Sequence, residues 1–179
     1  MSKHHRNRNW APAPQPLPED AHVIDNHTHV ASVVPFSQAM SHEAMEKGQG
    51  EVPVYSVDEL LEQAQKVGVE GVIDCGCELP NLMTAIDMAR EHPGTVHAAI
   101  AIHPNEAVLH GHRGAPGPDG LPIKYKPWHD IPFDEAMAEV HRLATTYPNQ
   151  VVAIGETGMD LFRTGESAKE LQREAFRAH

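Results

Sequence analysis

The stretch Val23-Ile24-Asp25-Asn26-His27-Thr28-His29 places two histidines one residue apart, directly after an apolar pair. Alternate residues of a strand point to one face, so His27 and His29 would offer two imidazoles to a single divalent cation. Two ligands do not complete a site. Val151-Val152-Ala153-Ile154-Gly155-Glu156 supplies a carboxylate in the same setting, at the end of a short apolar run. Alone, a His-x-His reads more simply as two histidines capping a strand and bonding backbone carbonyls, and Glu156 reverses that balance. Gly155 and Gly158 flank it and would let other groups approach the backbone closely, and a buried carboxylate wants a cation. If the three residues share a site, an imidazole should lie within about 6 Å of the Glu156 carboxylate. His103, followed by Pro104, reads equally well as a functional residue and as a satisfied histidine at a turn. Asp160 and Arg163 read as a surface ion pair, and Cys75 and Cys77 as buried thiols of the core.

The elements that must position these residues follow from periodicity. Residues 1–20 combine Lys3, Arg6 and Arg8 with a proline-rich run from Ala11 to Pro18, which suits a disordered tail and neither helix nor central strand. The domain is expected over 21–179. Residues 31–55 show no clear period and read as a long loop with one helical turn near Met40–Lys47. Ser56 with Glu59 forms a capping box, and Leu60, Leu61, Ala64 and Val67 recur at helical spacing as far as Gly68. Val69 to Cys77 reads as a buried strand, Leu82 to Glu91 as a helix, and Val96 to Ile102 as a third strand. Residues 105–132, with Gly114-Ala115-Pro116-Gly117-Pro118, form an excursion outside the core. Asp134 to Tyr147 is helical, Val151 to Ile154 a fourth strand, and a second capping box at Ser167 and Glu170 starts a helix running to His179.

Four strand–helix repeats imply parallel pairing through right-handed crossovers, and continuous apolar runs such as Val69–Cys75 imply burial on both faces. In such folds chemistry collects at the carboxyl ends of the strands, where His27, His29, His103 and Glu156 all fall. No glycine-rich fingerprint follows the first strand, so a TIM-type (β/α) barrel is favoured over a doubly wound sheet. Four units supply about half of the roughly 250 residues such a barrel takes.

Composition limits the partners. With 14 basic and 25 acidic residues the formal charge is −11, a field that repels polyanions and makes phosphate chemistry dependent on metal ions. Two cysteines this close together cannot staple a fold and have no second pair to complete a zinc site, which suits a reducing cytoplasm. No apolar stretch approaches the ~20 residues of a membrane span, and none resembles a secretory signal.

Four stretches together resemble the successive signatures of the TatD-related metal-dependent hydrolases. They are Asp25-Asn26-His27-Thr28-His29, Ala101-Ile102-His103-Pro104-Asn105-Glu106-Ala107, Ile154-Gly155-Glu156-Thr157-Gly158-Met159-Asp160 and Gln172-Arg173-Glu174-Ala175-Phe176, in the family's order over residues 22–179. The resemblance implies an amidohydrolase-like TIM barrel and a deoxyribonuclease that hydrolyses DNA phosphodiesters with two divalent ions (Mg, Mn or Zn). It implies that His27 and His29 bind one metal, that Glu156 bridges both, and that His103 faces the substrate phosphate. The family draws two further histidines and an aspartate from later strands. No position within the 179 residues matches them, because His141 and His179 fall on helices. Nuclease activity is therefore expected of a longer chain. The alternatives are an amidohydrolase-type enzyme cleaving a small C–N or ester substrate, and a half-barrel that turns nothing over. On any of these readings the 179 residues by themselves are expected to self-associate or to be poorly stable, because half a barrel exposes unpaired strand edges.

Overall fold

The computed structural model describes residues 16–48, 53–113 and 124–179. The expected tail up to residue 15 and the Gly114–Pro118 stretch lie outside the described residues. Four strands, β1 (Val23–Thr28), β2 (Val69–Gly76), β3 (Val96–Ile100) and β4 (Val151–Ile154), form one sheet in the order β1-β2-β3-β4, every neighbouring pair parallel. A doubly wound sheet reverses its strand order at a switch point, whereas a (β/α) barrel adds strands in sequence, and this sheet does the latter. The helices between strands are α1 (Val30–Glu46), α2 (Val57–Lys66), α3 (Asn81–Glu91), the single turn α4 (Pro104–Ala107) and α5 (Phe133–Thr146), with α6 (Lys169–Ala178) after β4. The fold is α/β with parallel strands, as the alternation of elements implies. Among the described residues no helix is long and apolar enough to cross a membrane.

The core lies between the sheet and its helices. Leu82, Ala85 and Ile86 of α3, Val96, Ala98 and Ile100 of β3, and Ala136, Val140 and Leu143 of α5 are essentially sealed from water. Burial on both faces holds for β3 but not for the whole of β2, where Val72, Asp74 and Gly76 are buried and the alternate Ile73 and Cys75 only half so, as is Cys77 just beyond the strand. Cys75 and Cys77 are thus correctly free thiols but not fully core residues. The edge strands are more open still: Ile24 on β1 is 58% exposed and Val152 on β4 51%.

Three local expectations need correction. Residues 30–46 are a helix of 17 residues, not a loop. Pro35, inside its second turn, obscured the pattern by removing one backbone donor, yet Val30, Ser37 and Ala44 recur every seven residues on the buried face. The Ser56–Glu59 capping box is formed, whereas at Ser167 it is not. There a 3₁₀ turn over Glu166–Ala168 precedes α6, buried Ala168 takes the cap position without a side-chain bond, and Glu170 turns to Arg173 instead. The third concerns 105–132. Its described ends pack inward, with Ala107, Val108, His110 and His129 sealed from water; both ring nitrogens of His129 are bonded, and His110 bonds the Ile131 carbonyl through Nδ1.

Leu17 is not part of a free tail. Its N–H donates to the Val67 carbonyl (2.8 Å), and its side chain covers Gly68, whose φ of +95° ends α2 in the left-handed region that glycine reaches without strain.

Candidate metal centre at the strand ends

His27, His29 and Glu156 converge where β1 and β4 end. One ligand atom from each lies within 4.8 Å of the other two, and no other cluster of this kind occurs among the described residues. His27 Nε2 stands 3.4 Å from Glu156 Oε2, well inside the expected 6 Å. Metal–ligand bonds of about 2.1 Å meeting at a tetrahedral angle put ligand atoms about 3.4 Å apart, so the spacing suits a shared cation better than a direct bond. The other carboxylate oxygen, Oε1, faces His103 Nε2, also at 3.4 Å. One carboxylate therefore addresses two histidines from two strands.

Hydrogen bonds assign each histidine its free nitrogen. His29 Nδ1 contacts the Cys75 carbonyl at 3.2 Å and can only donate to it, which leaves the Nε2 lone pair for a cation. His103 is the reverse. Its Nδ1 accepts the Asn105 N–H (3.1 Å) at the start of α4, so Nε2 carries the proton toward the cleft. His27 is fixed through its backbone N–H, which donates to Asp25 Oδ1, and its ring meets His29 edge to face.

Strand β2 holds the end of β1. Thr28 Oγ1 donates to the Ile73 carbonyl (2.9 Å), and Asp74, 1% exposed, accepts the Val30 and Ala31 N–H groups of α1. His29 occupies the N-cap position of α1 but makes no side-chain cap. Asp74 caps the helix in its place, which frees the imidazole for the cleft. Burial pushes the Asp74 carboxyl above its ordinary value, and those N–H groups recover part of the cost. A carboxylate inside the run Val72-Ile73-Asp74-Cys75 was the available signal, since Asp is rarely buried without a partner.

Cys77 also enters the cleft. Its Sγ donates to Glu156 Oε2 at 3.7 Å, and burial pushes the thiol up to about 12, so it acts as a protonated donor to the carboxylate. Gly76 beside it admits the start of α3, since a Cβ there would lie 2.7 Å from the Asn81 carbonyl. Gly155 and Gly158 admit no such approach, as nothing lies within 4 Å of an added Cβ at either, but Gly158 has φ +133°. The expected close approach around Glu156 is thus absent; only the backbone at Gly158 calls for glycine.

The cleft, about 340 Å³, is also lined by Glu78, Asn105, Glu106 and Arg163. Glu106 accepts from His129 Nε2 (2.6 Å) and Trp128 Nε1 (3.2 Å), and Glu78 pairs with Lys126 (2.8 Å). These partners are 20 or more residues away in sequence, and no local pattern marks them. Asp160 and Arg163 do not form the expected ion pair. The Asp160 carboxylate instead accepts the Asn105 amide (2.7 Å) and the backbone N–H groups of Phe162 and Arg163. Burial pushes this carboxyl up, but those donors outweigh it and hold it below its usual range. His141 lies exposed on α5, and His179 turns from α6 to the end of β3, where Nε2 accepts the Ile102 N–H (3.0 Å) and Nδ1 bonds the Ala175 carbonyl. Neither joins the cluster.

Comparison with known proteins fits this arrangement. The chain is 31% identical over 128 residues to the uncharacterized metal-dependent hydrolase TatD of Mycobacterium tuberculosis, covering 69% of this chain and 39% of that protein. It is 29% identical over 121 residues to the 3'-5' ssDNA/RNA exonuclease TatD of Erwinia tasmaniensis, covering 68% of this chain and 37% of that one. The chain thus spans about two fifths of the length of these curated relatives. The crystal structure of a TatD family hydrolase from Entamoeba histolytica superposes with a TM-score of 0.52 at 19% identity, over 87% of this chain and 44% of that one, which supports the fold. The family model for TatD related DNases matches residues 24–179, nearly everything from β1 onward, and the chain belongs to that family.

Proposed function

We propose that this chain carries the first part of a metal-dependent phosphodiesterase site acting on DNA, with His27, His29 and Glu156 as metal ligands and His103 as a donor to the substrate phosphate. The observation that carries the reading is the convergence of three ligand atoms within 4.8 Å. The donor set fits a divalent ion, with imidazole nitrogen and carboxylate oxygen both suited to Zn or Mn. A cation held there would offset phosphate charge and make water a better nucleophile.

The chain's own residues do the rest. His29 Nε2 is kept free by the Cys75 carbonyl, and Glu156 is kept ready by the Cys77 thiol and turned toward both histidines. The neutral His103 tautomer points an N–H into the cleft, where a phosphate oxygen can accept it. Glu156 has a second oxygen available for a second ion, which is what the two-metal expectation requires of it. The polar lining of the cleft favours a phosphodiester over a small amide or lactone, which would want a closed apolar pocket. Three ligands gather among the described residues, and turnover belongs to a chain that also carries the family's later ligands. The open edges at Ile24 and Val152 support self-association of this chain by itself.

Titration calorimetry with Mn²⁺ or Zn²⁺ should find at least one site, weakened a hundredfold or more, roughly, in His29→Ala and Glu156→Gln. Hydrolysis of labelled single- and double-stranded DNA is then compared between this chain and one extended by the later strands. Equal rates would overturn the need for later ligands, and no cleavage by either would move the reading to a small C–N or ester substrate.

A further inference from the structure

His103 stands at the end of a line of bonds that crosses the cleft from β3 to the loop after β4. Its Nδ1 accepts the Asn105 N–H (3.1 Å) at the start of the single turn Pro104–Ala107. A lone turn is a weak support, because the first turn of a helix fixes several dihedral angles for one hydrogen bond, and Pro104 gives it no N–H. The turn is held from outside. Asn105 Nδ2 donates to Asp160 Oδ2 (2.7 Å), so one residue bonds His103 through its backbone and the loop after β4 through its side chain. That orientation of the amide is imposed on it. Asn105 Oδ1 is buried without a partner among the described residues, yet turning the amide over would set an oxygen against the Asp160 carboxylate. A buried acceptor left unpaired calls for a reason beyond stability.

Asp160 is itself fixed, at its backbone and at both carboxylate oxygens. Gln172, sealed from water, accepts the Asp160 N–H through Oε1 (2.9 Å), while its Nε2 donates to the Asp160 carbonyl (2.9 Å) and to Thr164 Oγ1 (2.6 Å). Thr164, also buried, donates its hydroxyl to the same carbonyl. Asp160 Oδ1 accepts the Phe162 N–H (2.9 Å), which leaves Oδ2 for Asn105. The side chain is not among those that line the cleft. A carboxylate bonded in this way has no freedom to follow a ligand, and it is well placed to hold a neighbour still.

We propose that Asp160 is a positioning residue of the cleft: through Asn105 it holds the His103 ring in place with its proton on Nε2, aimed at a substrate oxygen. The proposal rests on the phosphodiesterase reading above and deepens it. A neutral imidazole can carry its proton on either nitrogen and can turn about its side-chain bonds. A donor that must meet developing charge needs one nitrogen kept as an acceptor and the ring kept still. Asp160 supplies both from a loop that also carries Glu156, four residues earlier, whose Oε1 faces the same His103 Nε2. One segment thereby sets a candidate metal ligand and the donor on the neighbouring strand together.

The test is nitrogen-15 NMR of the histidine rings in the metal-free chain at mildly alkaline pH, with the His103 signals identified by their loss in His103→Ala. Wild type should show one His103 species, Nε2 protonated and Nδ1 an acceptor. Asp160→Ala should move both ring nitrogens toward the average of the two tautomers. Asn105→Ala keeps its backbone N–H but loses the clamp and should do the same, and the double variant should go no further than either. Asp160→Asn keeps an acceptor oxygen for Asn105 and should recover most of the wild-type pattern, whereas a loop that only lost stability would melt earlier without moving one imidazole's tautomer. In the chain extended by the later strands, Asp160→Ala should lower kcat on DNA in manganese about 10–100-fold with KM within about twofold. In a His103→Ala background it should lower kcat no further. The positioning role is overturned if the His103 signals of Asp160→Ala match wild type, or if Asp160→Ala slows the His103→Ala chain again. Ring signals that move as expected in a chain that cleaves no phosphodiester at any length would overturn the phosphodiesterase reading alone. DNA cleavage that Asp160→Ala leaves unchanged would overturn the positioning role alone.

Discussion

Strands β1 and β3 both deliver histidines to one cleft, under different constraints. β3 is central, sealed at Ala98 and Ile100 on one face and at Ala99 on the other, and His103 follows it with its N–H on the Cys77 carbonyl (2.9 Å) and Nδ1 on Asn105. β1 is an edge strand whose register against β2 shifts twice, and Ile24 on it is mostly in water. Packing does not hold its end. Three polar groups do, through Thr28 to Ile73, His29 to Cys75, and Asp74 beneath α1. A residue on a central strand inherits its position from the core, whereas one on an edge must be held by side-chain bonds to its neighbour.

The widest gap between the two strands should appear in stability. Ile100→Ala removes a sealed side chain and should cost about 2–5 kcal/mol, whereas Ile24→Ala should stay within about 0.5 kcal/mol. Urea denaturation of both variants checks this, and equal losses would break the contrast. Ile24→Lys should leave the melt unchanged and reduce any self-association seen by light scattering, because a lysine on an edge discourages pairing with another chain.

A smaller effect is expected at the polar clamp. Asp74→Ala leaves the first N–H groups of α1 without an acceptor and should cost about 1–2 kcal/mol. It should also weaken manganese binding about 10–100-fold, because His29 loses the helix start that positions it. Asp74→Asn keeps an acceptor oxygen and should restore most of both. Metal affinity within twofold of wild type in Asp74→Ala would show that Cys75 alone orients His29.

The smallest effect concerns pH. Burial holds His110 and His179 below their ordinary value of 6.5. The unfolded chain therefore takes up protons first as pH falls, so this contribution to stability is fully present above about pH 6.5 and is lost as pH drops through the lowered folded values. His110 is the sharper case, since its Nδ1 bonds the Ile131 carbonyl and its buried Nε2 has no partner among the described residues. His110→Gln should flatten the decline in melting temperature between pH 7 and 5, while His141→Gln, exposed on α5, should leave it as it is.

The sequence by itself determined the alternation of strands and helices, their parallel pairing, the Ser56 cap and the strand-end placement of His27, His29, His103 and Glu156. All of these follow from short-range periodicity and from residue types whose spacing along one strand is their spacing in space. Only the tertiary structure decided which partners complete them. Asp74 caps a helix begun 44 residues earlier in the chain, Gln172 ties a turn that starts at Asp160, and Glu106 pairs with His129 across 23 residues. The helix through Pro35 belongs with these, because its first turn is stabilised by that distant carboxylate and its buried stripe by packing. Such bonds join residues that the fold brings together and that no local period relates.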